Sequence, residues 1–232
     1  MLFDLRGAGR RRMVKAVYIT LAFLMGGGLV LFGIGGGGAL SGGLLDAITE
    51  SKGSGDPGTE RFQSIEQRAS TRARANPTDA AAWAAVARAR FNLASVGENF
   101  DQGQSTYTAS GRRELEAASR AWEKHVEVAR GKPDTRVASL MVQAYVALGQ
   151  ADKATSAQEV IAEDRDSAGA YATLATLAYQ AGQTRKGDLA TDKALELTEP
   201  DMREALKGQL QAAKAQAAGE AGQGAATPTP AG

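Results

Sequence analysis

The chain has 232 residues, 43% apolar and 6% aromatic, with only 6 prolines; this alanine-rich composition favours helix packed on helix over a β-sandwich, which draws on runs of Val, Ile and Thr. Lys and Arg number 27 against 26 Asp and Glu, so the folded part lacks the basic excess that holds nucleic acid. Cysteine is absent and His125 is the sole histidine, which excludes disulfides, thiolate metal sites and any centre that needs two imidazoles.

Residues 1–15 are basic, with Arg6, Arg10, Arg11, Arg12 and Lys15 against Asp4. Residues 16–34, AVYITLAFLMGGGLVLFGI, carry no charge. As a helix rising ~1.5 Å per residue they span about 28 Å, close to the thickness of a hydrocarbon core. No further Lys or Arg occurs before Lys52. Positive charge on one flank alone predicts a single-pass anchor in the plasma membrane, with the N-terminus inside and the remainder extracytoplasmic. Gly26, Gly27 and Gly28 interrupt the span; Gly33 and Gly37 have GxxxG spacing, which carries little weight in so glycine-rich a run. The alternative is a signal peptide cut after small residues such as Gly37 and Ala39, releasing a secreted binding protein. The uncharged run exceeds a usual signal core, which favours a retained anchor.

Residues 35–58 are rich in Gly and Ser and read as a flexible linker, with a short apolar patch at 44–48. Residues 59–217 read as a helical domain. Its first helix, 59–75, carries Phe62, Ile65 and Ala69 at helical spacing and caps the helices after it. Residues 218–232 have almost nothing to bury and are expected to be a disordered tail.

Within the domain, Val137, Leu140, Met141, Ala144, Tyr145 and Leu148 recur at helical period, as do Tyr171, Leu174, Ala175, Ala178 and Tyr179. Ala144-Tyr145 returns 34 residues later as Ala178-Tyr179, and Gly149-Gln150 returns 33 residues later as Gly182-Gln183. A period of this length signals stacked helical hairpins. Leu115, Ala118, Trp122, Val126 and Ala129 form one further stripe, and Met202, Leu206 and Leu210 share the inward face of a closing helix that begins near Pro200.

These residues resemble the tetratricopeptide repeat family. Tyr145, Gly149 and Ala154 match its tyrosine, turn glycine and second-helix small residue. Tyr171, Leu174, Ala175, Gly182, Gly187, Ala194 and Pro200 match in the next unit. Trp83, Val86 and Ala87, after Asn76-Pro77, match in the first, where Arg90 stands in place of the tyrosine. The first unit also departs from the pattern by an insertion at 95–110, SVGENFDQGQSTYTAS. The resemblance covers about residues 76–200. It implies an all-α, TPR-like α-solenoid of about three helical hairpins with flanking cap helices, which the uncharged run at 16–34 precedes with one transmembrane helix.

The resemblance further implies a concave groove lined by the first helix of each repeat. Carried onto this chain, the groove comprises Arg88, Phe91 and Asn92; Arg136, Ser139, Gln143 and Val146; and Thr176, Tyr179 and Gln180. Such a row suits an extended protein or peptide partner held by amide hydrogen bonds and arginine–carboxylate contacts. Phe100 and Tyr107, aromatics on the long polar insertion, are a second candidate contact, set against a loop that folds back on the repeat. Asp101, Gly103 and Ser105 resemble half a calcium loop but lack its bidentate glutamate. His125 has no recognisable nucleophile beside it and reads as structural, as do Trp83 and Trp122. No catalytic, cofactor or metal residue is assigned. A binding scaffold, possessing no enzyme chemistry, is therefore expected, in the style of membrane-tethered proteins that assist export or envelope assembly. An enzyme with an unrecognised pocket, or a structural oligomeriser, are the rival classes; homo-oligomerisation has no support in the sequence.

Overall fold

The computed structural model describes residues 57–224, and side chains for 58–219. The basic N-terminus, the anchor at 16–34, nearly all of the linker and the last eight residues of the tail lie outside the described residues. Among the described residues no helix is long and apolar enough to cross a membrane.

These residues are all-α, with eight helices and two very short strands. The helices are α1 (Pro57–Ala75), α2 (Ala80–Ala94), α3 (Ala109–Val128), α4 (Thr135–Leu148), α5 (Ala151–Arg165), α6 (Ala168–Gln180), α7 (Thr184–Glu196) and α8 (Arg203–Gly224). A 3₁₀ turn (Gly97–Asn99) and strands β1 (Phe100–Asp101) and β2 (Thr106–Tyr107) fill the α2–α3 connection. Each helix packs on its sequence neighbours, and further contacts join α2 to α4 and α6 to α8.

The helix starts follow from local chemistry. Asp79, Thr108, Asp134 and Ser167 each turn a side-chain oxygen onto a free amide of the first turn, at Ala82, Gly111, Arg136/Val137 and Ala170. Such a cap contributes about 1 kcal/mol by satisfying an otherwise orphaned donor. The ends of α4 and α6 rely on glycine. Gly149 (φ 71°) and Gly182 (φ 70°) take the left-handed conformation, and the next amides, of Gln150 and Gln183, return to the carbonyls of Tyr145 and Ala178.

The core is built from alanine at the helix contacts, with a few large side chains between them. Leu115, Val137, Met141, Tyr145 and Thr155 are the largest side chains with almost no exposure. One cluster runs from Ala69 in α1 to Leu177 in α6, and a second joins Leu174, Tyr179 and Ala190 to Leu210 of α8. Alanine lets helices approach closely and favours the helix itself.

Three boundaries differ from expectation. The closing helix α8 starts at Arg203 rather than near Pro200, so Met202 precedes it and is 56% exposed instead of facing inward. α1 includes Pro57 and Gly58, ahead of position 59, and proline is compatible with a first helical turn, where its missing amide is not needed. α8 reaches Gly224, seven residues past the expected end at 217. Residues 218–224 read AGEAGQG, with three glycines against two alanines, so this stretch extends the packed turns before it by propagation rather than by its own propensity.

Candidate functional site

The expected groove row falls on α2, α4 and α6, and the structure divides it. Arg88 is exposed and reaches Asp134, the N-cap of α4, at 3.4 Å, a link between α2 and the start of α4. Asn92 and Gln143 are partly exposed, and Arg136, Val146 and Gln180 are exposed. Val146, at 56% exposure, is one of the few large apolar side chains facing solvent. Ser139 and Thr176 are half-buried and donate to carbonyls one turn back in their own helices, those of Thr135 and Ala172.

Phe91 and Tyr179 do not belong to this row. Phe91 is 8% exposed and lies in the main core; Tyr179 is 5% exposed and lies in the second cluster. Both are apolar bodies on the inward side of their helices, where burial outweighs any surface role. Tyr179 Oη donates to Asp188 on α7 at 2.9 Å and meets Thr191 Oγ1 at 2.9 Å. Lys214 of α8 pairs with the same Asp188 at 2.6 Å and stands over the tyrosine ring. Burial pushes the Tyr179 phenol above its ordinary value, whereas the Lys214 ammonium, then the Tyr179 hydroxyl, hold the Asp188 carboxyl below its own.

The insertion is a small antiparallel hairpin in which Phe100 pairs with Tyr107 and Asp101 with Thr106. The two aromatic rings meet edge to face with centroids 5.2 Å apart, and Tyr107 also packs on the core. The hairpin is pinned at its base. Thr108 Oγ1 donates to the Glu98 carbonyl at 2.9 Å and Asn99 Nδ2 to that of Leu93 at 2.8 Å. Gly111 lets this base close, since a β-carbon there would sit 2.0 Å from the Asn99 carbonyl oxygen. The aromatic pair is thus half-buried, and the exposed tip is polar, from Gln102 to Thr106. Asp101 Oδ1 accepts the Gln104 amide at 3.0 Å, closing the turn. No group of acidic or histidine side chains that would hold a metal occurs among the described residues.

A concave region lies away from the row. A cleft of about 590 Å³ opens between α1, α2 and α3, floored by Trp83, Val86 and Ala121. Arg90 closes one end by bridging Glu66 of α1 at 2.7 Å and Glu114 of α3 at 2.8 Å. The other carboxylates lining it are also paired, Glu123 with Lys153 and Glu127 with Lys124. Trp83 is held in place by its indole N–H, which donates to the Pro77 carbonyl at 2.8 Å. This cleft has no counterpart in the sequence reading, because its walls come from three helices whose residues share no local spacing.

His125 is buried, at 3% exposure, and both ring nitrogens are engaged. The Asp134 amide donates to Nε2 at 2.8 Å, so Nε2 carries no proton and Nδ1–H donates to the Ala80 carbonyl at 2.8 Å. The ring therefore joins the C-terminal end of α3 to the first turns of α2 and α4. No protein-family model matches this sequence, and no curated protein matches it either.

Proposed function

We propose that this chain is a membrane-tethered interaction scaffold that binds a protein or peptide partner along the α2, α4 and α6 face of a tetratricopeptide-like stack. One observation carries the reading. Asn92, Arg136, Gln143 and Gln180 make no side-chain hydrogen bond or ion pair among the described residues, and each is at least partly exposed. Amides and a guanidinium left without internal partners are ready to meet the backbone and carboxylates of an extended chain. Exposed Val146 adds an apolar contact among them.

The repeat reading is supported by the matching glycine turns after α4 and α6 and by the order of helix contacts, each helix on its neighbour and α2 on α4. The tether rests on the uncharged residues 16–34 behind Arg10, Arg11 and Arg12. Tethering raises the local concentration of the face near membrane partners, which fits a helper in export or envelope assembly.

The test is site-specific photo-crosslinking in native membranes at Asn92, Gln143, Val146 and Gln180. These positions should capture one common protein. Capture at Gln102 or Gln104 on the hairpin tip with none on the helix face would overturn the assignment. The intact mass of the mature chain decides between anchor and cleaved signal.

A further inference from the structure

One end of the helical domain is electrically split. His125 ties the C-terminal end of α3 to the starts of α2 and α4. The turns α1–α2, α3–α4, α5–α6 and α7–α8 therefore all emerge at this end, because consecutive helices run up and down through short connections. The α1–α2 and α3–α4 turns with their flanks, residues 72–79 and 126–134, hold four cationic side chains against three carboxylates, one of which, Glu127, is already paired with Lys124. The α5–α6 and α7–α8 turns with their flanks, residues 163–166 and 193–203, hold six carboxylates against three cations.

The charges are available. Arg74, Arg130 and Lys132 are exposed and make no side-chain hydrogen bond or ion pair among the described residues. The same holds for Glu163, Asp164, Glu199 and Asp201 on the acidic half. The acidic half also exposes two of the domain's large apolar side chains, Leu197 at 36% and Met202 at 56%.

We infer that this end docks on the same end of a second copy of the chain, basic half to acidic half. A surface carrying both signs in separate halves is complementary to itself under a two-fold axis: one rotation brings both pairs of halves together at once. A foreign partner would need the same split pattern in reverse, whereas the second copy supplies it without further assumption. The attraction steers encounter and sets the register, and Leu197 and Met202 give the contact an apolar centre against Pro77 and Pro133.

The experiment is sedimentation velocity on the full chain in detergent micelles. At ~20 mM salt the protein mass per particle should be twice that of one chain, and at ~500 mM, where such charges are screened, dissociation should strengthen at least about tenfold. The variant Arg130→Glu/Lys132→Glu leaves both halves acidic, and Glu163→Lys/Asp164→Lys leaves both halves basic. Each alone should be monomeric at low salt with an unchanged helical circular dichroism spectrum. Mixed, the two should form a heterodimer. The inference fails if the wild type is a monomer at low salt. It also fails if its dimer ignores salt and survives both reversals, as pairing through the anchor would, or if the two folded variants do not pair when mixed.

Discussion

Gly187 lies against the ring of Tyr179, so close that a β-carbon built there would stand 2.4 Å from Cε1. The ring cannot swing aside, because its hydroxyl is held by Asp188 and Thr191 and Lys214 covers one face. Gly187→Ala should therefore destabilise the domain by about 2–3 kcal/mol through overpacking, even though alanine is the better helix former. Urea unfolding followed by circular dichroism measures this. A change below ~0.5 kcal/mol would mean that α7 shifts without cost.

Tyr179 and Tyr145 together show how far the fold is legible in the sequence. Period and glycine turns located the helices, since capping and burial patterns are local. Pairing Tyr145 with Tyr179 as equivalents was less secure. Tyr145 lies four residues before its turn glycine and Tyr179 three, and one residue rotates a side chain by about 100° around a helix. Tyr145 consequently meets Ser119 on the preceding α3, whereas Tyr179 meets its own following helix α7. The groove row suffered from the same limit. The register implied by the resemblance puts Phe91 and Tyr179 on the open face, but which side of a helix is inward depends on neighbours far away in sequence. Asn92, Gln143 and Gln180 do keep solvent exposure, on helices that the period itself locates. The hairpin in the insertion escaped notice, since its strands of two residues have no detectable alternation.

His125 should act as a stability determinant. Its removal leaves the Asp134 amide and the Ala80 carbonyl without the partners they have in the interior. His125→Ala should cost about 3–5 kcal/mol, from two orphaned backbone groups together with the lost packing on Trp122. Once folded at low temperature, the variant should still crosslink at Gln143. Loss of capture in a folded His125→Ala protein would tie the ring to the binding face directly.

Stability should fall at both ends of the pH scale for separable reasons. The Ala82 amide, aided by Arg72, holds the Asp79 carboxyl below its ordinary value, and Lys214 and Tyr179 hold that of Asp188 low. A carboxyl depressed in the folded state binds its proton more readily when unfolded. Its contribution is present above the unfolded value near ~4 and is lost as pH falls through the folded value. The salt-bridged ammoniums of Lys153, beside Glu123, and Lys214, beside Asp188, are raised, as are the buried phenols of Tyr145 and Tyr179. Their contributions are present below the unfolded values near ~10 and are lost as pH climbs through the folded ones. Urea midpoints measured from pH ~2 to ~11 should form a plateau between these limbs. Asp188→Asn should flatten the acid limb and Tyr179→Phe the alkaline one; an acid limb unchanged in Asp188→Asn would remove Asp188 from the account.

The length of α8 separates the part of the C-terminus that holds the fold from the part that is merely helical. Leu210, at 4% exposure, belongs to the second core cluster, with Leu206, Ala213 and Ala217 packed on it, and Lys214 pairs with Asp188. Beyond Ala217, the residues whose side chains are described, Ala218 and Gly219, are exposed. A chain ending after residue 217 should thus melt within about 2 °C of the full chain, since fraying exposed helix contributes little. A chain ending after residue 208 uncovers Leu174 and Ala190 and strips Asp188 of its cation. With several kcal/mol of apolar burial removed, its Tm should drop by about 10 °C or more. Thermal melts of the two truncations in the same detergent make the comparison. Equal losses in both would mean that the stretch from 218 onward stabilises the domain, contrary to the solvent-facing position of its first residues.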